Sequence, residues 1–384
     1  MRSYFATQRE LQPPAPYDRW FVAAVFAILL IGLLMMTSAS IVISDKSLHQ
    51  PFYFLLKQLV YLALGVAIGS FIVQVHMDYV EKYSGYLLLL VMLMLSLVLI
   101  PGIGHSVNGS SRWLGVGPLG FQVSELAKLA IVIYMAGYLV RRNAEIQQEL
   151  SGFVKPMLIL AAMAVLLLRE PDFGATVVVT VTSLGMMFMG GMRVRHFAAL
   201  LIGAAGLLAV IAISAPYRLA RLTSFMDPWQ RPFDTGYQLT QSLIAFGRGG
   251  WFGAGLGQSI QKMFYLPEAH TDFLFAVIAE ELGVVGMTVI IGLFSLLVVR
   301  IFIMGREAQK LERHFSGYIA YGCGVWVAIQ FIVSIGVNSG LLPTKGLTLP
   351  LMSYGGSSVL VNCLMLAVLL RIDHENRLIA LGIQ

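Results

Sequence analysis

Glu268, His270 and Asp272 stand at alternate positions in the stretch Leu266-Pro-Glu-Ala-His-Thr-Asp272, which closes a polar, glycine-rich segment and runs straight into an apolar run that opens at Phe273. Ionisable groups at a membrane edge are costly to desolvate, so this cluster is a candidate functional site. A carboxylate placed there can take a proton from an attacking hydroxyl or hold a cation. Thr271 or Asp272 directly before an apolar run is also how a helix N-cap looks, and composition alone divides the two readings evenly.

Two further stretches carry chemistry. In Ser124-Glu-Leu-Ala-Lys128, Glu125 and Lys128 are three apart and share a helix face, and each lowers the cost of burying the other. A helix-positioning ion pair with no ligand fits the same spacing. Arg112 lies in the polar loop before that helix, where a guanidinium suits an anionic phosphate. The stretch from Asn338 to Ser358 is dense in proline and glycine around one cation, Lys345. Irregular backbone of this kind survives at membrane depth only where protein buries it or a wet cavity borders it. Arg248 and Lys262 add two cations to the glycine-rich segment before Asp272. The glycines at 247, 249, 250, 253, 255 and 257 lack the lysine of a phosphate loop, and no nucleotide-binding motif occurs elsewhere, so any chemistry runs without a nucleotide. Those glycines read equally as backbone that bends sharply or meets a ligand closely, and as a flexible outer loop.

The elements that must position these residues are membrane helices. Hydrophobic residues make up 58% of the chain and charged residues 12%, and mean hydropathy is +0.79, which excludes an ordinary soluble domain. Runs long enough to cross about 30 Å of hydrocarbon, at some 20 residues each, recur near 20–44, 52–75, 84–103, 123–140, 154–168, 173–190, 197–215, 273–304, 317–339 and 351–370. The expected fold is therefore all-α and polytopic, with about ten transmembrane helices, the fifth the shortest. Residues 1–19 form a tail, 20–371 the membrane domain with a large loop at 216–271, and 372–384 a second tail. With the N-terminus inside, inner segments hold 15 lysines and arginines and short outer segments 4. Both termini are then cytoplasmic and the large loop extracytoplasmic. The net charge of +6 reflects this bias and carries no nucleic-acid footprint. Cys323 and Cys363 fall inside spans as small buried hydrophobes. Tyr237 to Phe246 reads as an amphipathic helix on the bilayer surface, bringing Arg248 to the headgroups, with Trp229 and Trp251 as interfacial anchors. Glu280 and Glu281, two to three turns into the eighth span, must face protein or a cavity.

The runs LPEAHTDFLFAVIAEELG, SSRWLGVGPLGFQVSELAK and NSGLLPTKGLTLPLMSYGGSS resemble the signature regions of the SEDS family of bacterial cell-wall polymerases, and its cell-division branch more than its elongation branch. The likeness covers about residues 20 to 371, with Val123 departing from a proline common in relatives. It implies a ten-helix glycosyltransferase that polymerises lipid II on the outer face of the cytoplasmic membrane at the division septum. The family's proposed catalytic acid matches Asp272, and its paired charges match Glu125 and Lys128. Implied partners are the class B penicillin-binding protein FtsI and the regulators FtsQ, FtsB and FtsL. A one-span partner helix is expected to pack on Gly286, Gly322 and Gly324. Substrate binding falls to Arg112, Glu125, Lys128, Arg248, Lys262 and Lys345. Because the donor is already activated, the reaction needs only a base and positive charge for the diphosphate, from side chains or from a divalent cation such as magnesium or manganese held at Asp272. Two rivals are a lipid flippase using Lys57, Lys128 and Glu280 as a headgroup path, and a non-catalytic division scaffold.

Overall fold

The structure, a computed structural model, describes residues 16–107, 110–116, 119–148, 151–213, 225–343 and 346–382. Lys345 therefore lies outside the described residues. Among them, seven helices are long and apolar enough to cross a membrane. These are α1 (Arg19–Leu48), α2 (Tyr53–Ile72), α3 (Met77–Val98), α4 (Val123–Arg141), α10 (Leu274–Lys310), α11 (His314–Asn338) and α12 (Gly356–Ala380). The short α5 (Asn143–Gln148), then α6 (Ser151–Arg169), α7 (Phe173–Met189) and α8 (Val194–Ile213), occupy the stretch that holds the fifth, sixth and seventh expected spans, and α9 is Tyr237–Gly249. The chain is an all-α polytopic membrane protein.

Small residues let the helices meet closely, as they must where lipid gives no hydrophobic drive for helix pairing. Gly65 and Gly69, one turn apart on α2, lie against Cys363 and Ala367, one turn apart on α12, and a Cβ at Gly65 would stand 2.8 Å from that of Cys363. Cys323 and Cys363 are buried, free thiols. Gly322 and Gly324 are also buried, against Met186 and Val132 and against Phe302 respectively, and a Cβ at Gly286 would meet its own helix at Leu282. Gly322 and Gly324 thus hold the bundle together and are not open to a partner helix.

Polar contacts sort the helix ends into two groups. At one end the α1 N-cap Asp18 takes the N–H groups of Trp20 and Phe21 and the guanidinium of Arg300, while its own N–H donates to Asp373 Oδ2 at 2.6 Å. Glu375 at that end accepts from the Met77 N–H at 3.2 Å and pairs with Arg313 and Arg371. The tail expected from 372 is helix through Ala380, because Asp373 and Asn376 are buried in this network and keep α12 going. At the other end the polar loop before α4 is not irregular. It folds into an antiparallel sheet, β1 (His105–Val107), β2 (Ser110–Val116) and β3 (Leu119–Gln122), ordered β1-β2-β3, with Trp113 opposite Gln122.

α10 is broken at Gly283, whose φ of 63° and ψ of −161° are not helical. The N–H groups of Val284 and Val285, which an unbroken helix would give to the carbonyls of Glu280 and Glu281, donate to Gly250 O and Trp251 O at 3.0 and 3.1 Å. The carbonyls of Glu280 and Glu281 accept instead from Ala254 and Gly255 at 2.9 and 3.1 Å. The glycine-rich loop is spliced into the helix ladder, and these four backbone groups find their partners within the protein. A Cβ at Gly253 would sit 2.1 Å from Glu281 O. Gly249 and Gly253 thus serve close contact of backbone with backbone, and Gly250, Gly253, Gly255 and Gly257 take the positive φ of sharp bends.

Candidate active site

Asp272 precedes α10 at intermediate burial, and the N-cap of that helix is Phe273, which makes no side-chain cap. The first-turn N–H of Ala276 is taken by Asn338 Oδ1 at 3.0 Å, from the end of α11. Asn338 is wholly buried, and its Nδ2 donates to Asp272 O at 2.9 Å and to Ser334 O at 2.8 Å. One amide thus ties the Asp272 backbone and the start of α10 to α11. Sequence reasoning missed Asn338, although an asparagine in an apolar run signals a polar tie. Gly346 crowds the carboxylate: a Cβ there would lie 2.7 Å from Asp272 Oδ2. Asp272 also takes part in interactions of its own.

The other side of Gly346 connects to α7. A Cβ on Gly174 would be 3.3 Å from Gly346 O. Asp172 caps α7 through Ala175 N at 3.1 Å and accepts from Ser124 Oγ at 2.7 Å and Gln122 Nε2 at 3.2 Å. Arg112 reaches across from β2, donating Nε to Glu170 O at 2.9 Å and Nη2 to Pro171 O at 2.7 Å. Its guanidinium holds this corner together through carbonyls. Glu170 is fully buried, and neither carboxylate oxygen has a hydrogen-bond partner. Burial, reinforced by Asp172 and opposed by Arg112, pushes its carboxyl up to about 8, so it keeps its proton at neutral pH.

Lys128 is 2% exposed. Its ammonium lies 2.7 Å from Glu125 Oε2, donates to Gln330 Oε1 at 3.1 Å and stands 5.3 Å over the Trp326 ring. Gln330 also accepts from Trp326 Nε1 and donates to Thr348 O at 2.9 Å. The pair read from the sequence is therefore formed and linked to the 346–355 loop.

Arg248 and Lys262 belong elsewhere. α9 packs on α10, burying Leu239, Ser242 and Ala245, with Ser242 Oγ donating to Asn338 O at 2.6 Å. It is not a helix lying free on the bilayer, since its apolar face has the bundle to cover it. Arg248 pairs with Glu280 at 2.9 Å and Lys262 with Glu281 at 2.7 Å. Glu280 also accepts from the Ser259 hydroxyl and from Ile260 N and Gln261 N at 3.0 and 3.2 Å. Glu281 takes Ser38 Oγ and Gly257 N, each at 2.9 Å. Both glutamates are fully buried, facing protein as their charge requires. His270 is wedged against Phe54 and Tyr354, ring centroids 4.7 and 5.6 Å away. Burial pushes its pKa down, and it is a packing residue here.

Among the described residues no three His, Cys, Asp or Glu side chains gather as a metal site. Magnesium at phosphate sites typically takes one or two carboxylates and the phosphate oxygens, and Asp272 offers one such carboxylate. An ion held there would supply neutralising charge to a diphosphate.

A bundle of apolar helices with a carboxylate, a buried lysine pair and a crowded loop at one end defines a polytopic membrane protein with its ionisable groups gathered at helix ends. The sequence profile of the FtsW/RodA/SpoVE family, described as cell cycle proteins, matches residues 19–378, and the chain belongs to that family. It is 55% identical over 373 residues to the "Probable peptidoglycan glycosyltransferase FtsW" of Legionella pneumophila, covering 97% of this chain and 95% of that one. To the protein so described from Coxiella burnetii it is 53% identical over 359 residues, covering 94% and 96%. Among solved structures it is similar to a chain of a peptidoglycan synthase complex that coordinates polymerization and crosslinking, with TM-score 0.77, 28% identity and coverage of 94% and 98%. It is also similar to the rod shape determining protein RodA of Thermus thermophilus, with TM-score 0.69, 29% identity and coverage of 94% and 97%.

Proposed function

We propose that this chain is the peptidoglycan glycosyltransferase of cell division, joining lipid II into glycan strands with Asp272 as the base. The observation that carries the assignment of Asp272 is its position one residue ahead of the N-cap, with Asn338 serving the first turn of α10 and Gly346 withholding a side chain beside the carboxylate. The acceptor sugar hydroxyl gives its proton to Asp272 and its oxygen bonds to the anomeric carbon of the donor. The bond from that carbon to the lipid diphosphate breaks, and the diphosphate leaves with the electron pair. Arg112 and Lys128 hold the α7 corner and the 346–355 loop that flank the reacting groups. With Arg248 and Lys262 paired with Glu280 and Glu281, Lys345 next to Gly346 is the cation we assign to the leaving diphosphate; were Asp272 instead to hold a divalent ion, that ion would supply neutralising charge there.

The reading includes ten spans, both termini cytoplasmic, and Asp272 on the outer side of the inner membrane at the septum. It is supported by the lysine and arginine bias and by the shared end of Asp18, Glu375 and Asp373. A class B penicillin-binding protein such as FtsI, with FtsQ, FtsB and FtsL, completes the assembly. A flippase path has less support, because Lys128 and Glu280 are each enclosed by separate partners. General-base assistance is worth about 10²–10⁴-fold, so purified Asp272→Asn protein given lipid II should make glycan at about 1% of the wild-type rate or less while eluting as a folded species. Glycan chains of normal length and yield from that variant would remove Asp272 from the reaction.

A further inference from the structure

At the end of the bundle away from Asp272, α3 and α4 border an open cleft of about 410 Å³ that polymerisation does not use. It is lined by Lys82, Ser84, Gly85, Tyr86 and Leu89 of α3 and by Arg141 of α4. The neighbouring Arg142 and Lys155 both pair with Glu145. Lys82 and Arg141 form no ion pair among the described residues, and both are exposed. Lys82 lies over the Tyr83 ring at 5.5 Å. Arg141 donates to Ser84 Oγ at 3.5 Å and feels the Glu81 carboxylate only as a more distant charge. Ser84 is itself fixed, donating to Glu81 O at 2.8 Å. Two cations thus border one cleft with no carboxylate at ion-pair distance among the described residues, and Glu81 offsets Arg141 only through space.

Directly beyond the cations the face of α3 turns apolar. Tyr86, Leu89, Leu90 and Leu93 are 71%, 68%, 53% and 55% exposed, and their spacing puts them on one stripe. A charged mouth at headgroup level that continues into an uncovered apolar stripe along the membrane normal matches a phospholipid in both of its parts. Basic pockets between transmembrane helices hold anionic headgroups in this way.

We propose that the α3–α4 cleft binds the phosphate headgroup of an anionic phospholipid between Lys82 and Arg141, with an acyl chain along the Tyr86–Leu93 stripe. Its assignment to the cytoplasmic leaflet rests on the orientation given above; the site itself does not.

Gly85 allows a test that leaves every charge in place. A Cβ there meets nothing within 4 Å, so Gly85→Leu fills the cleft without a clash and raises helix propensity. The full-length protein in detergent is titrated with phosphatidylglycerol, phosphatidylethanolamine or inorganic phosphate, and retained ligands are counted by native mass spectrometry. One phosphatidylglycerol should persist at detergent levels that strip phosphatidylethanolamine. At roughly fivefold per cation, the Lys82→Gln/Arg141→Gln double variant should bind it about 25-fold more weakly. Gly85→Leu should lose it altogether with an unchanged melting temperature. Equal retention by all three proteins would overturn the proposal, as would equal retention of the two lipids. Inorganic phosphate displacing the lipid at equal concentration would overturn it too, because the stripe would then contribute nothing. The readout is bound lipid mass and not glycan, so an inactive enzyme that retains the lipid separates this proposal from the polymerase reading.

Discussion

Replacing Lys262 with methionine tests whether the glycine-rich loop is locked by its buried charges. The Lys262 and Glu281 side chains are 3% and 0% exposed and 2.7 Å apart. Breaking such a pair from one side costs about 3–5 kcal/mol, because the remaining charge stays buried without its partner. Ser38 Oγ and the N–H groups of Gly257 and Ser259 still reach Glu281, so the lower figure, about 3 kcal/mol, applies. At tenfold per 1.4 kcal/mol, the opened population of the loop rises about 100-fold. Trp251 and Phe252 are exposed at the loop tip, and limited chymotrypsin digestion reads that population when reclosing outpaces cleavage. Lys262→Met should be nicked about 100-fold faster than wild type under conditions where α4 and α12 stay intact. Lys262→Met combined with Glu281→Gln removes the stranded charge but keeps an acceptor for the loop N–H groups, and should recover to within about tenfold. Wild-type cleavage of the single variant, or a double variant cut as fast as the single one, would refute the lock.

Glu170 sets a pH dependence whose sign follows from its burial. Its carboxyl rises from 4.5 to about 8 in the folded chain, so between those values the native state holds a proton that the unfolded chain releases, and stability falls as pH rises through the window. At about 1.4 kcal/mol per pH unit the loss is bounded near 5 kcal/mol. Thermal unfolding from pH 5 to 8.5 should show wild type losing stability relative to Glu170→Gln, and parallel curves would count against the buried acid. Sidedness is read with single cysteines at Gln258 and Lys310, both exposed. An impermeant thiol reagent should label Gln258→Cys in intact cells and Lys310→Cys only after lysis, and labelling of both from one side would reverse or break the topology.

Local chemistry was legible without coordinates. Membrane spans follow from runs of apolar residues, and the Glu125–Lys128 pair follows from helical spacing, because both depend on residues close in the chain. The same locality made Asp272 conspicuous and its role ambiguous, since an acidic residue before an apolar run fits a cap as well as a base.

Contacts across long separations decided the rest. Only the packing shows that Arg248 meets Glu280 and Lys262 meets Glu281, since a buried carboxylate captures whichever cation the fold brings within reach. The glycines of the loop had no assignable purpose until the break at Gly283 exposed four backbone groups to be satisfied in a dry setting. Asn338 was marked only as a polar residue in an apolar run, with nothing to say that it would reach the N–H of Ala276, 62 residues away, and the burial that leaves Glu170 protonated and without a hydrogen-bond partner carried no local mark at all. Hydropathy and spacing by themselves settled that the chain is a polytopic membrane protein and where ionisable groups gather. Which of those groups are spent on holding the fold, and which remain for a substrate, is set by desolvation and pairing, and only the packed helices determine those.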